Sequence, residues 1–223
     1  MKKTKKQQKL TNLIILDASG SMVSKLEEVR GGIKQIFNTI KEDAKKSPKG
    51  IFNTIVVDFA SANDFNVIVN SPRLEDLKDS VADEYITRGM TALLDAIGKG
   101  FALIPKDSDA VFISIITDGA ENDSKEYTTV GVQKLIADAK TKKWGVTFMG
   151  TTEDAINQAK TWGIGQGSTM TFADSKDGVK KALSKLNTIR AYYSAMVNDD
   201  MWMNKSEEKQ RASLDNLVED SND

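Results

Sequence analysis

The sequence predicts an α/β fold: a doubly wound, mostly parallel sheet of about six strands, with one antiparallel edge strand and helices on both faces. Three observations predict it. Short apolar runs alternate along the chain with longer stretches whose apolar residues recur at spacings of three and four. Several of the runs are continuously apolar, the pattern of strands covered on both faces. The 223 residues suit one such domain with short ends, and no segment repeats another.

Each element follows from local pattern. Leu13, Ile14, Ile15 and Leu16 form a first strand. A helix over 24–45 carries Leu26, Val29, Ile33, Ile36, Phe37 and Ile40 on one face, and Pro48 and Gly50 stop it. Residues 51–59 are a second strand. A turn at 61–64 leads to a strand over 66–69 that returns antiparallel at an edge, and Pro72 breaks it. After an irregular stretch, 92–103 is helical and Pro105 ends it. Ala110–Ile116 is the most apolar run and belongs at the centre of the sheet. Helices over 129–142, 154–162 and 177–193 alternate with strands over 146–149 and 169–172.

Composition narrows the chemistry. The chain has no histidine and no cysteine. That removes Ser-His and Cys-His nucleophiles, disulfides, iron–sulfur clusters and zinc sites built on those ligands. Oxygen ligands remain, with lysine and arginine. The net charge is −1, from 31 basic and 32 acidic residues, so nothing global points to nucleic acid or an anionic membrane. No stretch has the length of a membrane helix or the layout of a secretory signal, and the lack of cysteine agrees with a cytoplasmic location.

The ends differ from the middle. Residues 1–9 form a basic arm with Lys2, Lys3, Lys5, Lys6 and Lys9. Residues 196–223 form an acidic tail, and from position 198 eight acids face three bases, a balance of −5. Both ends read as solvated segments. Met201, Trp202 and Met203 make an apolar spot within the tail, expected to fold back.

In doubly wound sheets the ligand site lies beyond the carboxyl ends of the strands, where strand order reverses. Three loops on that side carry oxygen. Asp17, Ser19 and Ser21 follow the first strand at spacings of two, and Ala18 and Gly20 leave the backbone room to curl. Thr91 opens the helix at 92–103. Asp118 follows the central strand in the run Thr117-Asp118-Gly119. Singly, each has an ordinary explanation as a cap or turn residue. Together they offer two carboxylates and three hydroxyls, a hard ligand set suited to Mg²⁺, Mn²⁺ or Ca²⁺.

With these residues the chain resembles the von Willebrand factor A domain and its metal-ion-dependent adhesion site. The family pattern of Asp-x-Ser-x-Ser, a later Thr and an Asp after the central strand matches at Asp17, Ser19, Ser21, Thr91 and Asp118. The likeness spans roughly residues 10–195 in the right order. It implies a Rossmann-like fold and a non-enzymatic interaction module. The ion, Mg²⁺ first and Mn²⁺ or Ca²⁺ otherwise, is held by the three hydroxyls and, directly or through water, by the two aspartates. With two negative charges facing a dication, the remaining position suits a Glu or Asp carboxylate from a partner protein. Affinity for the ion alone is then modest, on the order of 10⁻⁴–10⁻³ M. The resemblance further implies adaptor roles: a separate AAA+ ATPase, or a stress-response or phage assembly component, as partner. It also implies that the last helix moves with ligand state.

Two alternatives stand beside this. One is a structural or assembly component with an idle metal site. The other is a Mg²⁺-dependent phosphatase with Asp17 as nucleophile, which the hydroxyl of Ser19 disfavours, because such enzymes use an acid there as proton donor. Weaker signals take ordinary readings. Asp95 is an early helix acid, with a role in orienting a ligand as the alternative. Asp58 faces the site or solvent, and Glu121 and Asp123 are surface loop acids. The glycine-rich run at 163–168 precedes a strand, so it reads as a helix stop and flexible connection, not a phosphate loop. Trp144 and Trp162 read as core or interface residues.

Overall fold

The computed structural model describes residues 8–46, 50–165 and 168–197. Residues 1–7 of the expected arm and 198–223 of the expected tail, including Met201, Trp202 and Met203, lie outside the described residues, as do 166 and 167 of the glycine-rich run. Lys9, by contrast, belongs to the first strand, and 196–197 belong to the last helix. Six strands form one sheet: β1 (Lys9–Asp17), β2 (Ile51–Phe59), β3 (Phe65–Ser71), β4 (Ala110–Ile116), β5 (Gly145–Gly150) and β6 (Thr169–Thr171), in the order β3-β2-β1-β4-β5-β6. Only β3 runs antiparallel, paired with β2 at the edge across an irregularity at Val56/Val57. Five helices complete the fold: α1 (Leu26–Lys46), α2 (Leu93–Ala102), α3 (Thr129–Thr141), α4 (Glu153–Thr161) and α5 (Lys176–Val197).

Side chains alternate across the central strands and so build two cores. On one face Ile14 and Leu16 pack with Ile33, Phe37, Leu183 and Tyr193 beneath α1 and α5. On the other, Leu13 and Ile15 pack with Ile97, Ile136 and Ile156 beneath α2, α3 and α4. Trp162 is buried in this second core, and Trp144 packs against its edge. α1 and α5 approach closely because Gly32 has no side chain; a Cβ there would meet Leu183 Cδ1 at 2.4 Å. Among the described residues no helix is long and apolar enough to cross a membrane.

Boundaries differ from the sequence reading where tertiary pairing extends or replaces local pattern. β1 begins at Lys9 because Thr11 and Asn12, which interrupt the apolar run, still pair with β2 and β4 and are buried. The expected start of the first helix at residue 24 is instead a 3-10 turn, Gly20–Lys25, and α1 starts at Leu26. α5 runs on to Val197, whose side chain joins the core.

Candidate metal centre

The sheet order places the reversal between β1 and β4: the chain builds outward through β2 and β3, then crosses back to lay β4 beside β1. In doubly wound folds the loops leaving two such strands diverge at this point. Asp17 ends β1, and Asp118 follows β4 by two residues. All five sequence-predicted residues lie at this end of the sheet; Asp17, Ser19, Thr91 and Asp118 are buried, and Ser21 is exposed.

Hydrogen bonds join four of the five. Asp17 Oδ1 accepts from the Ser19 amide at 2.7 Å, which curls the loop, and Oδ2 accepts from the Thr117 hydroxyl at 2.5 Å. Ser19 Oγ and Ser21 Oγ are 3.1 Å apart. Ser21 donates to Asp118 Oδ1 at 2.6 Å, joining the two strand ends. The fifth, Thr91, is held through its backbone and not by a hydrogen bond to the other four. A Cβ on Gly119 would lie 3.6 Å from Thr91 Oγ1, so the hydroxyl sits beside the residue that follows Asp118.

The loops are braced against one another. The Arg88 amide donates to the Ala18 carbonyl at 2.6 Å and the Gly20 amide to the Gly89 carbonyl at 3.1 Å. Gly89 adopts φ +63°, a left-handed conformation, and a Cβ there would strike Ser61 Oγ at 2.4 Å, so glycine is required twice over. Asn122 clamps Thr91 from both sides, accepting from its amide at 2.9 Å and donating its own amide to the Thr91 carbonyl at 3.0 Å. Tyr85 donates its buried hydroxyl to the Asp17 carbonyl at 2.5 Å.

The acids outside the five do structural work. Asp95 sits in the first turn of α2, as an early helix acid should, but its carboxylate accepts three amides, from Lys125, Glu126 and Tyr127 at 2.7–2.9 Å. Glu121 and Asp123 are half-buried, contrary to expectation. Glu121 accepts the Leu94 amide at the start of α2 at 2.8 Å, and Asp123 accepts the Ala62 amide at 2.8 Å. Asp58 is fully buried and paired with Arg88 at 2.7 Å, so it faces neither solvent nor an open site.

Electrostatics set the character of the centre. Burial pushes the Asp17 carboxyl up to about 6, against the hydrogen bonds from Thr117 and Ser19, and the charge of Asp118 adds to the rise. Lys25, which the sequence reading passed over, places its ammonium on Asp118 Oδ2 at 2.6 Å and also pairs with Asp174. Burial pulls the Lys25 pKa down, but the two carboxylates outweigh it and hold it raised. The segments that carry these residues also bear exposed apolar side chains: Val23 (64% exposed) just after Ser21, and Ile86 (57%) and Met90 (52%) on the loop that leads to Thr91.

The donor set fits a hard divalent cation. It mixes carboxylate and hydroxyl oxygen, both hard donors; among the described residues no three acids group to hold an ion, so a cation here would depend on the hydroxyls. Residues the sequence reading missed include Lys25, Asn122 and Tyr85. Only Lys25 left a signal, standing four positions after Ser21 on a helical spacing.

Comparisons with known proteins bear on the fold. No family model matches the sequence, and no curated protein matches it. Solved structures do match in shape. The pilus adhesin SpaC from Lactobacillus rhamnosus GG superposes with a TM-score of 0.60 at 15% identity, over 87% of this chain and 31% of that one. The vWF domain of the type V pili tip protein Mfa5 from Porphyromonas gingivalis gives 0.56 at 9% identity, over 82% and 96%. The SpRpn10 VWA domain gives 0.54 at 12%, over 80% and 94%. The chain spans about a third of the adhesin's length and under half that of proximal thread matrix protein 1 from the mussel byssus, which also matches. Sheet order, the single antiparallel edge strand and these superpositions agree on one conclusion: the chain has the Rossmann-like fold of von Willebrand factor A domains.

Proposed function

We propose that this chain is a non-enzymatic protein-interaction module in which Asp17, Ser19, Ser21, Thr91 and Asp118 hold a divalent cation. The observation that carries the reading is the Ser21–Asp118 hydrogen bond of 2.6 Å, with Ser19 Oγ 3.1 Å from Ser21 Oγ: oxygens from two strands far apart in sequence meet at the switch point. The ion is Mg²⁺, with Mn²⁺ or Ca²⁺ able to replace it, since hydroxyl and carboxylate oxygens are hard ligands. When bound, the ion supplies a position for a carboxylate oxygen from outside. The chain's own residues orient it: Thr117 and the Ser19 amide fix the Asp17 carboxylate, and Asn122 fixes the backbone of Thr91.

The partner is a protein that presents a Glu or Asp. Val23, Ile86 and Met90 are exposed apolar residues on the segments that carry the polar centre, which supports an interaction patch with a desolvated centre. A separate AAA+ ATPase, or a stress-response or phage assembly component, fits an adaptor of this kind, and the lack of cysteine supports a cytoplasmic setting. An adhesin, a pilus tip domain and the Rpn10 VWA domain share the fold, which supports an interaction role over an enzymatic one. Asp17 as a phosphatase nucleophile is disfavoured, because both its oxygens are engaged by Ser19 and Thr117.

Isothermal titration of Mg²⁺ and Mn²⁺ into wild type and Asp17→Ala tests the cation. Binding on the order of 10⁻⁴–10⁻³ M in wild type, absent in the variant, is expected. Equal, negligible heats in both would favour the second reading, an assembly component with an idle centre, which the Lys25 ammonium on Asp118 favours. Pulldown with Mg²⁺ against chelator then identifies the partner.

A further inference from the structure

Lys25 is a group that the cation reading leaves without a role. It closes the 3-10 turn that carries Ser21, and its side chain is 5% exposed. Its ammonium donates to Asp118 Oδ2 at 2.6 Å and to the Ser21 carbonyl at 3.3 Å, and it pairs with Asp174 on the turn before α5. Lysine is almost never this buried unless paired. Here its position delivers a positive charge to the very carboxylate that the ion needs.

We propose that Lys25 is a resident counter-cation, which holds Asp118 in the absence of a divalent ion and competes with that ion for the carboxylate. The inference rests on the cation reading above. Asp118 presents Oδ1 to the Ser21 hydroxyl and Oδ2 to Lys25, so both oxygens are engaged before any ion arrives. A dication that takes Asp118 sits within a few ångströms of the ammonium, and like charges at that range oppose each other strongly in a partly buried site. Lys25 is not stranded by the exchange, because it already pairs with Asp174 as well, whose carboxylate is two-thirds exposed.

Two consequences follow. The threshold concentration for the ion is set by Lys25 as much as by the five oxygen ligands. Loading of the centre also breaks the Lys25–Asp118 pair and leaves Lys25 held by Asp174, which stands at the entry to α5, where the Ser175 hydroxyl accepts the Gly178 amide at 3.1 Å. The metal loop and the last helix are therefore joined through one side chain.

The test compares wild type, Lys25→Met and Asp17→Ala by titration calorimetry with Mg²⁺ and Mn²⁺. Lys25→Met keeps the length of the stem and removes the charge; it is expected to bind the ion about tenfold tighter or more. Binding seen only in Lys25→Met supports the counter-cation and overturns the cation reading for the wild-type chain, whose centre Lys25 then keeps idle. Equal or weaker binding by Lys25→Met, with Asp17→Ala silent, overturns the counter-cation and leaves the cation reading standing. Silence in all three overturns both. Because Lys25→Met bares a buried carboxylate and could fail to fold, a second measurement uses the wild-type chain. The ¹⁵N resonance of the Lys25 ammonium, assigned through Lys25→Arg, is expected to shift across the Mg²⁺ titration and to stay put in Asp17→Ala. A wild-type resonance unmoved over the range where calorimetry sees binding overturns the proposal.

Discussion

Two clusters of buried charge stand on opposite terms. Between α1 and α5, Arg190 (1% exposed) pairs with Asp43 at 2.9 Å; Asn187 Oδ1 accepts from its guanidinium, and Asn187 in turn donates to Thr39 at 2.7 Å. One cation meets one carboxylate there, and the charges close. At the β1/β4 end, Asp118 and Asp174 share the single charge of Lys25, and Asp17, close enough to feel the charge of Asp118, has no cation of its own; three carboxylates and one ammonium leave an excess of two. Asp43, Asn187 and Thr39 of this cluster line a groove of about 500 Å³. The Asp17 cluster opens to solvent at Ser21 and lies at the strand-order reversal. Buried charge is therefore not by itself the mark of a site. An imbalance of charge at an opening is what a ligand can complete.

The contrast predicts separable effects. The largest is Arg190→Ala, which leaves Asp43 unpaired at a helix interface and is expected to cost about 3–5 kcal/mol in urea unfolding, with ion affinity unchanged. The double variant Asp43→Leu, Arg190→Leu should regain most of that loss, since a buried pair is replaceable by apolar volume. A loss of ion binding in Arg190→Ala would merge the two clusters into one system.

Next is Asp95→Ala, which frees the three amides of residues 125–127 and is expected to cost about 2–3 kcal/mol. Unlike Arg190→Ala, it should also weaken ion binding, because the 121–127 segment clamps Thr91. Retained affinity in calorimetry would show that Thr91 does not depend on that brace.

Gly32→Ala forces a Cβ against Leu183 and is expected to cost about 1–2 kcal/mol through overpacking of α1 on α5, without touching the ion. The smallest effect on stability belongs to Val23→Ser and Met90→Ser, within about 0.5 kcal/mol because both side chains are exposed. These two should nevertheless weaken partner capture in Mg²⁺ while leaving ion affinity intact; undiminished capture would remove these side chains from the interface.

Much of the fold was legible because its signals are local. The strand at Ala110–Ile116 was readable as central because it is the most apolar run, and all seven residues are buried; the antiparallel edge strand was readable from the turn at 61–64 and the break at Pro72. The candidate centre was legible as five oxygen-bearing side chains at the carboxyl ends of strands. Asp95, Glu121 and Asp58 were not legible in the same way. Their partners are Lys125, Leu94 and Arg88, each about thirty residues away, and no periodicity joins such positions.

The order of strands and helices, the two apolar faces of the sheet and the loops that carry oxygen were thus settled by the chain's local pattern, since burial periodicity and turn chemistry act over a few neighbouring residues. Tertiary structure alone decided which charges meet. Lys25 reaches Asp118 across 93 residues because the order β3-β2-β1-β4-β5-β6 lays the ends of β1 and β4 side by side. Electrostatic pairing depends on distance in space, and that distance exists only once the sheet has formed.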